Sequence, residues 1–281
     1  MKTTSLLLFF AMLSFWTPQK KGVTIVACLL FALAGWLEGF LEPWGLLALG
    51  GWMLLVWLMQ FVHTQAPLIQ GAYHATLIFI TGLFFLHRVP GINNQLVIDN
   101  VQFAADSIPF RMYYNFDKPL FAVFYLLFFG ACVRTQELPR RLGVQLGTLI
   151  PLSLVVLGLA FWTHFVRYNP KLPPETFTWI LGSLFLTSIG EEVFFRMYLQ
   201  TYMVKWLEKL GALPMVGVLV TSVLFGVAHF SGGWTYMGLA TLAGIGYGIA
   251  YRTSRKIEDA ILCHFFLNAI HFFFFSYPAL S

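Results

Sequence analysis

WGLLALGGWMLLVWLMQFV, residues 44–62, runs nineteen residues without an ionisable side chain. A helix needs about 20 predominantly apolar residues to cross the roughly 30 Å hydrocarbon core of a bilayer. A helix that is apolar on every face belongs in lipid or in a large core. Comparable runs lie at 23–39, 69–86, 120–133, 146–165, 177–189, 213–229, 237–251 and 260–275, with a shorter one at 5–16. The chain of 281 residues is 58% hydrophobic and only 10% charged, with a mean hydropathy of +0.75, where a soluble domain is about 25% charged. These features predict an all-α, polytopic transmembrane bundle of about 8–10 helices. An integral membrane location is expected.

Charge and cysteine usage narrow the function classes. The formal charge is +5, yet no basic tract exceeds two residues, so the excess reads as membrane topology and not as a nucleic-acid surface. With the loop bearing Arg134, Arg140 and Arg141 on the cytoplasmic side, alternation places Lys20, Lys21, Lys205, Lys209, Arg252, Arg255 and Lys256 there too. Residues 5–16 follow Lys2 like a signal core. The following Thr17-Pro18-Gln19-Lys20-Lys21 lacks a small-x-small cleavage pattern, so a retained first helix is expected. Cys28, Cys132 and Cys263 lie in apolar stretches without CxxC spacing and read as buried free thiols.

Two domains are expected, 1–118 and 119–281. The first holds apolar helices, with Glu38 and Glu42 at a Pro-Trp corner, and ends in a polar segment from Arg88 to Lys118. That segment is too polar to span and reads as a surface piece, a cap over an entrance or a solvated connector. The second domain carries nearly every side chain capable of chemistry, within a core at about 177–275. Gly244 and Gly248 have the small-xxx-small spacing of close helix contact.

Ionisable groups at membrane depth cost roughly 2.5–3.5 kcal/mol each on insertion scales, so they mark sites. Gly190-Glu191-Glu192-Val193-Phe194-Phe195-Arg196 holds three of them. On a helix Glu192 and Arg196 stand at i and i+4 and can pair, while Glu191 is rotated by about 100° and faces elsewhere. His229 closes one apolar run, with Phe225 at i−4. His264 and Asn268 share a face of the last run, and His271 lies one turn further along it, read as supporting or core. Left unpaired in lipid such groups are costly, so they should converge. Simple alternation of the last spans puts His229 and His264 at different depths, by roughly 10 Å at 1.5 Å per residue, which tilted or unequal helices would remove. The set suits amide hydrolysis: Glu191 as general base on water with His229, and His264 with Asn268 as donors to an oxyanion.

Glu191-Glu192-x-x-x-Arg196, Phe225-x-x-x-His229 and His264-x-x-x-Asn268 resemble, in order, the motifs of the CPBP family. That family contains the CAAX prenyl endopeptidases and their bacterial relatives, described as intramembrane glutamic proteases. The resemblance implies an all-helical core and metal-independent hydrolysis of a membrane-associated peptide or protein. Glu191 and His229 would activate water, His264 and Asn268 would form the oxyanion hole, and Glu192 and Arg196 would support them. Two alternatives stay open: a zinc protease with Glu191, His229 and His264 as ligands, and a non-proteolytic transporter or immunity-type membrane protein using the same groups as a proton path.

Overall fold

The structure, a computed structural model, describes residues 1–16, 21–130 and 138–281. The processing-site reading at residues 17–20, Cys132 and Arg134 lie outside the described residues, as do the side chains of Arg140 and Arg141. The chain forms two compact units that interleave along the sequence. With the run from Thr176 to Lys209 taken as one helix, the described residues hold ten helices, the upper end of the expected range. Four are long and apolar enough to cross a membrane, or five if one bent pair makes a single broken span.

The first unit comprises Met1–Leu96, the described part of Tyr113–Arg134, and Phe185–Gly190. Its helices are α1 (Thr3–Leu13), α2 (Lys21–Leu37), α3 (Pro43–Val62), α4 (Pro67–Phe85) and α5 (Leu120–Phe129). Proline opens α3 and α4, where its missing N–H costs nothing and its fixed φ suits the first turn. Trp52 of α3 stacks on Phe84 of α4 at 3.9 Å and donates to the Thr81 hydroxyl at 3.1 Å, which satisfies the indole N–H inside an apolar core. The Glu38 carboxylate accepts from the Thr3 and Thr4 amides at 3.0 and 3.2 Å and from the Thr4 hydroxyl at 2.8 Å. The Glu38 corner therefore caps α1, whose first amides have no partner within the helix.

The second unit comprises Val97–Met112, the described part of Thr135–Leu184, and Glu191–Ser281. Part of the polar segment forms a two-stranded sheet, β1 (Gln95–Val101) and β2 (Phe110–Tyr114). Ile98 of β1 is buried with Trp179, Ala269 and Phe272, and Trp179 lies flat on Phe272 at 4.2 Å.

The helices of this unit include α6 (Leu138–Trp162), α10 (Pro214–Val227), α11 (Gly233–Ser254) and α12 (Ile257–Phe274). Before α10, the run from Thr176 to Lys209 is helical throughout but not regular. Between α7 (Thr176–Leu181), α8 (Gly190–Glu192) and α9 (Thr201–Lys209), the segments Gly182–Ile189 and Val193–Gln200 widen to π-helical i→i+5 bonding. The glutamate pair thus sits in a tight turn between two wide ones, a distortion found mostly at functional sites. Gly211 ends the run at φ +81°, a left-handed conformation open to glycine, and Pro214 starts α10.

Candidate active site

Glu191 and Glu192 reach the unit's interior from α8, and Arg196 from the wide turns that follow. Glu192 and Arg196 are fully buried. Arg196 Nε donates to Glu192 Oε2 at 3.1 Å, the i, i+4 pair expected from the sequence. The second oxygen, Glu192 Oε1, lies 2.8 Å from His264 Nδ1, a contact across 72 residues that spacing alone did not suggest. His264 Nε2 then lies 4.0 Å from Glu191 Oε2, with both side chains 5% exposed. One arginine, two glutamates and one histidine therefore form a continuous chain of polar contacts.

Phe225 organises the apolar side. The Arg196 guanidinium lies 5.2 Å from its ring, His229 lies 4.7 Å away, and the His264 ring meets it edge-to-face at 5.9 Å. The two histidines thus pack on one phenylalanine although simple alternation of the spans sets them apart. The reason is local: α10 ends at Val227, so His229 sits in the break before α11 and not inside a straight span. Its Nδ1 lies 2.7 Å from the Phe225 carbonyl and donates to it, which fixes Nε2 as the edge offered to the site. The Tyr236 ring meets His229 edge-to-face at 5.4 Å.

The remaining residues fall as follows. Asn268 is half-buried on α12, one turn beyond His264, and its side chain makes no hydrogen bond among the described residues. His271 turns away, with Nε2 3.3 Å from the Ser276 carbonyl and its ring against Tyr277. Gly244 allows α11 to approach: a Cβ there would stand 3.2 Å from both Arg196 Nη2 and the Phe225 ring. Gly248 faces Gln200, whose Nε2 donates to the Gly248 carbonyl at 3.0 Å. Both fit the close-contact spacing.

Sequence reasoning missed Tyr247, which lies face-on to His264 at 4.6 Å with 11° between the planes. Its one sequence signal is position: a lone tyrosine between Gly246 and Gly248. Among the described residues, no group of three or more His, Cys, Asp or Glu side chains is arranged to hold a metal ion.

A buried carboxylate–histidine–carboxylate–arginine chain, with its three sequence motifs in order, points to a specific enzyme family. Residues 173–270 match the family model described as type II CAAX prenyl endopeptidase Rce1-like. They form an Rce1-like domain. The family is one of CAAX-type intramembrane proteases. Apolar helices and this domain together make the chain an integral membrane protein. No curated protein and no solved structure matches it.

Proposed function

We propose that the chain is an intramembrane glutamic endopeptidase, with residues 119–281 as its catalytic membrane domain and the bacterial inner membrane as its place of action. The observation that carries this reading is the buried contact chain Glu191–His264–Glu192–Arg196 in an apolar surround. A structural ion pair needs only two of these groups. Four ionisable side chains in one buried cluster are an expensive arrangement that a site requires and a scaffold does not.

In this reading Glu191, His229, His264 and Asn268 carry the reaction. Glu191, assisted by His229, takes a proton from a water whose oxygen forms a bond to the scissile carbonyl carbon. The carbonyl electron pair moves to oxygen, where donors from His264 and Asn268 stabilise it. Collapse of the tetrahedral intermediate breaks the C–N bond, and the proton held by Glu191 passes to the departing amine.

The Glu192 contact constrains His264. Nδ1–H is committed to Glu192 Oε1, so Nε2 offers a hydrogen only when the ring is an imidazolium. Glu192 and Arg196 thus support the site electrostatically as well as sterically.

The substrate is a membrane-associated peptide or protein terminus. The family model's description makes a farnesylated CAAX peptide the first probe. The deciding experiment is mass spectrometry of membrane peptides from cells carrying the wild-type protein or Glu191→Gln. Cleavage products present only with the wild type support the proposal. Identical peptide sets, with the variant protein folded and retaining full biological activity, refute it in favour of a non-proteolytic role.

A further inference from the structure

His264 has one hydrogen bond at Nδ1, and one bond fixes a vertex of the ring but not its plane. The terminal torsion of histidine is broad, so the imidazole could tilt about the Glu192 contact and swing Nε2 away from Glu191. A second restraint on the ring face is required for a fixed geometry. Tyr247 supplies it: the rings are 4.6 Å apart and within 11° of parallel.

Tyr247 is itself held firmly. It is 2% exposed, and Phe225 meets it edge-to-face at 6.0 Å while meeting His264 the same way at 5.9 Å. The flanking glycines explain how α11 comes close enough. A Cβ at Gly246 would lie 2.5 Å from Leu152 of α6, and one at Gly248 would lie 2.7 Å from Gln200 Oε1. A side chain at either position would have to displace Leu152, or Gln200 and Val218, from their contacts with α11. The Gly-Tyr-Gly sequence therefore sets a flat aromatic face against the site.

We propose that Tyr247 is a positioning residue: its ring, stacked on His264, sets the imidazole plane so that Nε2 stays directed at the Glu191 side of the site. The aromatic face performs this role, not the hydroxyl, so phenylalanine should replace tyrosine and an aliphatic side chain should not. The kinetic part of the proposal rests on the protease reading above. A 1 Å misplacement of a reacting group can cost about 100-fold in rate, and a tilt of a buried ring is a smaller error.

Two measurements on the full chain in detergent micelles test it. With a fluorogenic farnesylated CAAX peptide, Tyr247→Leu should lower kcat by about tenfold, about 1.4 kcal/mol of barrier, with KM unchanged. Tyr247→Phe should stay near the wild type. Tyr247→Met, closer to tyrosine in length but without a ring, should repeat the leucine result and replaces it if that variant does not fold. Full kcat in a folded non-aromatic variant, or a change confined to KM, overturns the proposal.

The second measurement needs no substrate. In spectra of histidine-labelled protein, the His264 ring protons, assigned by their loss in His264→Gln, should be shifted upfield by the ring current of the stacked residue. The shift should persist in Tyr247→Phe and collapse in Tyr247→Leu or Tyr247→Met. A shift unaffected by losing the aromatic ring refutes the hold on His264. If the wild type leaves the peptide intact, that peptide is not a substrate, the protease reading is still decided by the membrane-peptide comparison, and the ring-current result still decides the hold.

Discussion

Arg196→Met removes the only arginine of the buried chain while keeping most of the side-chain volume. Glu192, fully buried, then loses the Nε contact at 3.1 Å and keeps only His264 at 2.8 Å. Breaking a buried ion pair from one side typically costs about 3–5 kcal/mol, because the remaining charge is stranded. Coulomb attraction at an effective dielectric of 20 gives about 4 kcal/mol at 4 Å, which agrees in order. Two features bring the expectation to the lower end, about 3 kcal/mol. Arg196 Nη1 and Nη2 are buried without a hydrogen-bond partner among the described residues, so their removal relieves a desolvation penalty. His264 also retains its bond to Glu192. Reversible unfolding in mixed micelles should show that loss for Arg196→Met and a similar one for Glu192→Gln, which strands the guanidinium. The double variant should recover at least about 2 kcal/mol relative to the sum, since neither charge is then left alone. Single losses below about 1 kcal/mol, or strict additivity, would refute the claim that this pair is a coupled, desolvated unit.

Gly226→Ala should destabilise by about 1–3 kcal/mol through overpacking, because a Cβ would stand 1.9 Å from Thr241 Oγ1 and 2.7 Å from the Met237 carbonyl. Adding Thr241→Ala should rescue it only in part, since the backbone clash stays; full rescue in an unfolding measurement would contradict this packing. At the Glu38 corner burial pushes the carboxyl up, but the bonds from Thr4 and Thr3 outweigh it and hold it below its ordinary value. Its contribution is therefore present above the usual carboxylate range of about 4.3 and lost as pH falls through the lowered value. The melting-temperature gap between wild type and Glu38→Gln should be present at neutral pH and close in acid; a constant gap would remove the charge from the account. Purified protein stripped of metal by a chelator, with the stripping verified by elemental analysis, should keep its cleavage rate. Loss restored by zinc would revive the reading with Glu191, His229 and His264 as ligands.

The sequence carried the local geometry of the site well and the tertiary geometry less well, for identifiable reasons. The Glu192–Arg196 pair was legible because i, i+4 spacing brings side chains together on a helix, and it survives in turns that widen to i→i+5 bonding. The widening was not legible, since it leaves no mark in the apolar pattern. Nor was the strand pair: QLVIDNV at Gln95–Val101 buries only Ile98 fully, too weak an alternation to separate a strand from a connector. The break at His229 was not legible because an unbroken apolar run hides where α10 stops. Tyr247 went unnoticed because an aromatic in an apolar helix is ordinarily core, and its meaning depends on the ring it faces.

The contact least visible in the sequence alters the logic of the site most. With only Arg196 as partner, Glu192 is a neutralised strut and Glu191 acts alone. With His264 on its second oxygen, Glu192 connects the arginine to the histidine and fixes which imidazole nitrogen faces Glu191. The adjacent glutamates then have opposite tasks for a geometric reason. Successive helical residues diverge by about 100°, so one carboxylate is spent holding the histidine and the other meets its far edge. Two glutamates in sequence, and not one, are what let a single histidine be held at Nδ1 and faced at Nε2 by a second carboxylate within an apolar helix bundle.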